Sequence, residues 1–197
     1  MISFQAKYIA PATIKCKTSN NEYQNMDTSL VKLDLSSRSD KIALKKISKS
    51  WTKEFDRLEK QGNEMSGGTC FAKTIYDYYK TSRKTSDCMN YYAITTQADS
   101  FEKLNPDEVL GLARISNSEF GVYELEHLQA RPQYTAFIEN SKYKKIGHGI
   151  LDSILETLPF REFRVISTIE SYDFYDKYGL KYDPYTLGVS IIKENHK

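Results

Sequence analysis

Apolar and polar positions alternate at the start of the chain. Ile2, Phe4, Ala6 and Tyr8 fall on one face of an extended segment, and Leu30, Val31, Leu33 and Leu35 suggest a second strand. The polar run TSNNEYQNMD between them reads as a connection. At Ser37 the period changes. Ile42, Ile47, Trp51, Phe55 and Leu58 recur at helical spacing and predict a helix over about 39–60, closed near Gly62. Ser37 followed by Asp40 has the form of a cap. After the glycine-rich loop GNEMSGG, the positions Phe71, Ile75, Tyr78 and Tyr79 predict a shorter second helix.

From residue 90 the pattern turns to short strands: Tyr91 to Thr96, Val109 to Ile115, and Val122 to Ala130. Pro106 punctuates the first connection and NSEFG the second, which suggests an antiparallel meander. A polar stretch, TAFIENSKYKK, leads to Ile146-Gly147-His148-Gly149. Ile150, Leu151, Ile154, Leu155 and Leu158 then continue as a helix ended by Pro159. Phe163 to Ile169 reads as a strand, SYDFYDKYG as a two-turn helix, and Tyr185 to Ile192 as the last strand. The expected class is α/β (α+β): a single domain over 1–197 with a mixed, mostly antiparallel sheet flanked by helices and an N-terminal β extension over 1–36.

Composition narrows this only a little. A chain of 197 residues, 40% hydrophobic and 27% charged, is expected to fold as one domain. The formal net charge of +2 gives no support to nucleic acid or an anionic membrane as partner. The N-terminus lacks a basic region followed by an apolar run, and no apolar segment approaches a bilayer-spanning length, so a cytoplasmic location is expected. Cys16, Cys70 and Cys88 lack C-x-x-C spacing and read as free thiols. His127, His148 and His196 have no metal-ligand spacing, so no metal is expected. The unusual count is 15 Tyr against 9 Phe and one Trp, and composition alone does not say what those phenols do.

The stretch Lys144-Lys145-Ile146-Gly147-His148-Gly149-Ile150 carries the first chemical signal. Two glycines one residue apart at a helix start let backbone N–H groups converge, and the helix dipole favours an anion there. A tight strand-to-helix turn would use the same residues. Further on stands Phe174-Tyr175-Asp176-Lys177-Tyr178-Gly179-Leu180. In order and spacing these segments resemble the GCN5-related N-acetyltransferase (GNAT) superfamily. Lys144-x-x-Gly147-x-Gly149 matches its [RQ]-x-x-G-x-[GA] loop, with Lys in the first place. Tyr175 to Leu180 matches its later Y-x-K-x-G-F motif, with Leu180 in the last. Leu128-Gln129-Ala130-Arg131-Pro132 looks like the family's V-x-P strand ending. The resemblance covers about 90–182. It departs from the family at 133–142, where residues are inserted, and at Thr168, which stands seven residues before Tyr175 where the family commonly has Asn.

The resemblance implies acetyl transfer from acetyl-CoA to a primary amine by direct attack on the thioester. It implies that the backbone of Lys145, Ile146, Gly147, His148, Gly149 and Ile150 anchors the pyrophosphate, with Lys144 adding charge. Leu128, Gln129 and Ala130 would pair with the pantetheine arm as an added strand does, between strands 122–130 and 163–169. Thr168 is kept as a cofactor-site position without the contact an Asn would make. Tyr175 matches the general acid, against the alternative of one more packed aromatic. Glu126 is the first candidate base and Glu124 the second, with Glu170 a third; all three also fit as solvated strand carboxylates. By strict alternation His127 falls on the face opposite Glu126 and reads as structural, and His148 as a loop residue with an exposed ring. Trp51 and Phe55 read as core by their spacing, while Tyr76, Tyr78, Tyr79, Tyr182 and Tyr185 lie in the segments 39–80 and 180–186 that shape acceptor sites in the family. The acceptor, whether small molecule, protein amine or aminoacyl-tRNA, stays open. A homodimer is expected by family analogy alone. The competing class is a GNAT-like CoA-binding or interaction module without catalysis. An unrelated nucleotide-binding fold is disfavoured, since neither GxxxxGK[ST] nor GxGxxG occurs.

Overall fold

The computed structural model of the chain describes residues 5–63, 70–81, 88–98, 100–118, 120–166, 171–183 and 188–192. Strands β1 (Lys7–Lys17) and β2 (Tyr23–Leu33) form a long antiparallel hairpin. Half of the polar run expected as a connection is therefore strand, and 18–22 turn, with Asn21 at φ 64. Alternate positions at its end face inward: Met26 packs on the core, and just past the run the Thr28 hydroxyl donates to the Ala12 carbonyl. Helices α1 (Arg38–Lys60) and α2 (Phe71–Thr81) follow, then β3 (Met89–Thr95), β4 (Val109–Asn117) and β5 (Val122–Ala130). These three strands form the expected antiparallel meander.

The spacer after β5 goes further than a loop. It makes a 3-10 turn at Pro132–Tyr134 and then adds a two-residue strand, β6 (Tyr143–Lys144), beside β1 at the far edge of the sheet. Helix α3 (Ile146–Thr157) packs from there across β1, β3, β4 and β5. Strand β7 (Glu162–Val165) then lies parallel to β5, helix α4 (Tyr172–Asp176) follows, and β8 (Lys181–Asp183) and β9 (Gly188–Ile192) close the sheet as an antiparallel pair. The nine strands run in the order β6-β1-β2-β3-β4-β5-β7-β9-β8, with β5–β7 the parallel pair. A short β8 was not expected; its pairing with β9 is a long-range contact that three residues of pattern do not announce.

Two apolar layers cover the sheet. On one face Val31, Leu33, Ala93 and Leu112 pack against Leu44, Ile47, Trp51, Phe55 and Ile75 of α1 and α2. On the other, Ile14, Leu30, Ile94 and Ala113 meet Ile150, Leu151 and Ile154 of α3, and the core continues to Phe163, Tyr175, Leu180 and Val189. Trp51 and Phe55 are thus core residues, as their spacing predicts.

Candidate active site

The strand β5 has two unlike halves. Val122 to Leu125 is paired on both sides, with β4 and with Glu162 to Val165 of β7. From His127 to Ala130 it keeps β4, but among the described residues no strand pairs with its other edge from Glu126 onward. Unpaired strand N–H and C=O groups are a template for an extended ligand. The change of partner coincides with a bulge. Arg114 faces His127 and Ile115 faces Leu125, so Glu126 is the extra residue. A bulge leaves its residue out of the ladder and turns neighbouring side chains toward the same face.

That bulge corrects the strict alternation assigned to β5. Glu126 pairs with the Arg114 guanidinium, and Arg114 lies over the Tyr78 ring of α2 at 4.3 Å. His127 packs against Phe71 and Tyr78 of the same helix, at 5.2 and 5.7 Å between centroids. Both residues therefore face α2. Burial and the neighbouring Arg114 charge push the His127 imidazole down to about 4, so it is neutral at physiological pH, and its Nδ1 is buried without a partner. Arg114 itself is 5% exposed, inside the apolar strand VLGLARISN. Its buried charge requires partners, and Tyr91 also hydrogen-bonds it. The sequence signal for this residue is a lone arginine in an apolar run. Glu124 is half-buried on β5 opposite Ser116.

The other three candidates on β5 separate. The side-chain Oε1 of Gln129 accepts the Ala72 N–H at 2.7 Å, which satisfies an otherwise open donor in the first turn of α2. Leu128 and Ala130 pack toward the α3 face, and Ala130 is paired with Gly111.

Helix α3 begins without a side-chain cap. Lys145 is its N-cap at φ 59, and the first turn holds no acidic residue. The Gly149 N–H donates to the Lys145 carbonyl, so Ile146, Gly147 and His148 are the first-turn residues whose N–H groups have no intrahelical acceptor. The two glycines have different reasons. A Cβ on Gly149 would lie 2.8 Å from the Thr13 carbonyl, so this glycine permits close approach of α3 to β1. A Cβ on Gly147 would sit at ordinary contact, 3.6 Å from Phe174 and 3.8 Å from Leu128. Packing does not demand glycine there. Ile146 and Ile150 are core side chains, and Lys145 is exposed. The Lys144 ammonium lies over the Tyr23 ring at 4.7 Å.

The His148 ring is half-buried, not exposed. It meets Phe174 edge-on at 4.8 Å and Tyr178 at 5.9 Å. Burial and the charges of Lys145 and Lys177 lower its pKa. Tyr178 hydrogen-bonds Asp152 of α3, and its phenol is pushed up by burial and by that carboxylate. Phe174 of α4 and Tyr178 just after it thereby tie this segment to His148 and Asp152 of α3. Tyr175 follows Phe174 in contact with it, at 4.9 Å, and is 7% exposed within the core. Burial pushes its phenol up to about 12. Such a group holds its proton across the physiological range. It can donate a hydrogen bond to a developing thiolate, although a thiol with an ordinary pKa near about 8.5 would not take the proton outright.

Thr168, Glu170 and Tyr185 lie outside the described residues. Among the described residues no group of three His, Cys, Asp or Glu could hold a metal ion, and no helix is long and apolar enough to cross a membrane. Cys16, Cys70 and Cys88 are free thiols.

No protein-family model and no curated protein matches the chain. Among solved structures it is similar to a provisionally assigned N-acetyltransferase from Lactobacillus plantarum, at 14% identity over 80% of this chain and 91% of that one, with a TM-score of 0.41. It is similar to a provisionally assigned GNAT-family acetyltransferase from Desulfovibrio desulfuricans, at 11% identity over 93% and 99% of the two chains, with a TM-score of 0.43. A provisionally assigned acyl-CoA N-acyltransferase from Klebsiella pneumoniae gives 12% identity, 83% and 94% coverage, and a TM-score of 0.39. These values are too low to carry an activity or a residue's role across, so function rests on the site of this chain itself.

Proposed function

We propose that the chain transfers an acyl group, acetyl in the first instance, from a coenzyme A thioester to a primary amine. The observation that carries this is the edge of Glu126 to Ala130, which no strand among the described residues pairs, next to the uncapped amides of Ile146, Gly147 and His148. The edge suits the extended, amide-bearing pantetheine arm, and the helix end suits a pyrophosphate. The amine nitrogen attacks the thioester carbonyl, the C–S bond breaks, the amine gives up a proton and the thiolate takes one. A β5 N–H at the bulge would polarise the carbonyl oxygen. Tyr175 would donate a hydrogen bond to the leaving sulfur, and the proton that the thiolate takes would come from water. Glu126, oriented by Arg114, is the base on this reading, with Glu124 second. The partner is an amine, the setting the cytoplasm, and a homodimer the assembly. The N-terminal hairpin within 1–36 belongs to the same single domain on this reading.

A CoA-binding module without catalysis is favoured by one feature: the Glu126 carboxylate is engaged in an ion pair with the buried Arg114 guanidinium and is not free to face an amine. A thiol-release screen of amines with acetyl-CoA tests the proposal, together with calorimetry of CoA binding. Turnover that drops about a hundredfold in Tyr175→Phe with CoA affinity retained supports transfer with Tyr175 as the donor. Binding without turnover on any amine supports the module, and absence of CoA binding overturns both.

A further inference from the structure

Net charge conceals how the lysines are arranged. Between Arg38 and Lys53, α1 carries six basic residues and one acidic one, Asp40, which is fully buried. Lys46, Lys49 and Lys53 succeed one another at i, i+3 and i+7 and line one wall of a cleft of about 610 Å³. The opposite wall is the turn from Lys103 to Asp107, so a fourth ammonium faces the same space. Like charges at these helical spacings work against the helix. Among the described residues none of the four lysines has a carboxylate within salt-bridge distance. The carboxylate that could have served, Glu54, is taken by Arg131 at 3.3 Å.

The cleft is held in shape. Arg131 bridges its walls, pairing with Glu54 on α1 and donating from Nη1 to the Asp107 carbonyl at 3.0 Å. Asn105 pins the turn: its side-chain oxygen accepts the Asp107 N–H and its amide donates to Glu108. Ser50 donates its hydroxyl to the Ile47 carbonyl, which leaves the oxygen's lone pairs, not its proton, for the cleft. Asp107 is the one carboxylate residue in the lining, so four positive charges face one negative. The volume matches small-ligand sites, and concave charged walls focus their field on what enters. The cleft lies in the α1 layer, on the face of the sheet opposite α3 and its uncapped amides.

From this geometry we propose that the cleft between α1 and the 103–107 turn binds a small phosphate-bearing polyanion, a nucleoside triphosphate or an inorganic polyphosphate. This is a second site, independent of acyl transfer. Calorimetry of the full chain with inorganic tripolyphosphate and with ATP, at low and at raised salt, tests it. Saturable binding that weakens with salt is expected, with a dissociation constant at least about tenfold higher in the double variant Lys49→Glu/Lys53→Glu. Lys103→Glu, on the wall outside the helix, is expected to act in the same direction and guards against an effect on α1 stability. ATP binding tighter than tripolyphosphate assigns the site to a nucleotide, and the reverse to an inorganic polyphosphate. CoA binding is expected to be unchanged in the lysine variants, which separates this site from the acyl-transfer reading. The proposal is overturned if neither anion binds, if the lysine variants bind as the native chain does, or if only an RNA oligonucleotide binds.

Discussion

The N-termini of α1 and α3 are both without a side-chain cap and differ in the charge placed beside them. Both helices present first-turn N–H groups that need acceptors. At α1 the expected Ser37 cap does not form, since its hydroxyl lies against that of Ser39; instead a carboxylate sits in the first turn, where the buried Asp40 reaches back to accept the N–H of Asp34, before the helix, at 2.9 Å. At α3 no side chain caps the end, the N-cap Lys145 is left-handed, and no carboxylate sits in the first turn. One end holds a carboxylate against the helix dipole and anchors it to the preceding chain, which serves stability. The other holds no carboxylate and has a lysine at its N-cap, and on the acyl-transfer reading its amides take an external acceptor. The contrast extends to the glycines of α3, one set by packing and one not.

The largest effect is expected at the packed glycine. Gly149→Ala places a methyl 2.8 Å from a backbone oxygen that cannot rotate away. Overpacking of this kind costs about 1–3 kcal/mol, read as a lower midpoint in denaturant unfolding. A loss at the low end or below would mean that α3 slides on β1 easily, and that the glycine is not a packing requirement.

Next comes the first turn of α1. Asp40→Ala removes the acceptor of the Asp34 N–H and is expected to cost about 1–2 kcal/mol, as leaving a buried donor unpaired does. Asp40→Asn keeps an acceptor and is expected to cost little at neutral pH. The reason is electrostatic: burial first, and the Asp34 charge after it, raise the Asp40 pKa. The folded chain then binds more protons than the unfolded one just above the ordinary carboxyl pKa. Its stabilising term is present at acid pH and is lost as pH rises through the raised value. The Asn variant is expected to flatten that slope in pH-dependent unfolding.

His127 has the opposite sign. Its folded pKa of about 4 lies below the ordinary imidazole value of 6.5, so the unfolded chain binds more protons between them. Stability is therefore expected to fall as pH drops through that window. His127→Gln removes the titration, and an acid limb that survives it would assign the slope to other groups.

How much of this was legible depends on the range of the contacts involved. Helix α1 and strand β5 follow from local period and punctuation, and β5 occupies Val122–Ala130 as expected. Strand β6 is two polar residues, and only the far-edge partners Lys15 and Cys16 make it a strand. The bulge at Glu126 is invisible to alternation because inserting one residue changes no composition. It reverses the assignment of His127 all the same. Arg114 was readable in principle, as a charge within an apolar strand, but its partners come from β5 and α2. The glycine pair was legible as a motif. That Gly149 serves close approach to β1, while Gly147 faces Leu128 and Phe174, needed the third dimension.

The smallest effect on stability, and the sharpest on the comparison, is expected at Gly147. A methyl there meets Phe174 and Leu128 at ordinary contact distance. Alanine in a helix also gains up to about 1 kcal/mol over glycine by propensity. Gly147→Ala is therefore expected to leave the unfolding midpoint unchanged or slightly raised. On the acyl-transfer reading the same methyl narrows the approach to the amides of Ile146, Gly147 and His148, and CoA affinity should fall about tenfold. Calorimetry and denaturant unfolding on this variant and on Gly149→Ala form a crossed test. Stability lost at 149 with binding lost at 147 would separate the packing glycine from the binding one. Unchanged CoA binding in Gly147→Ala would mean that the open end of α3 is simply solvated, and the contrast with α1 would then concern stability alone.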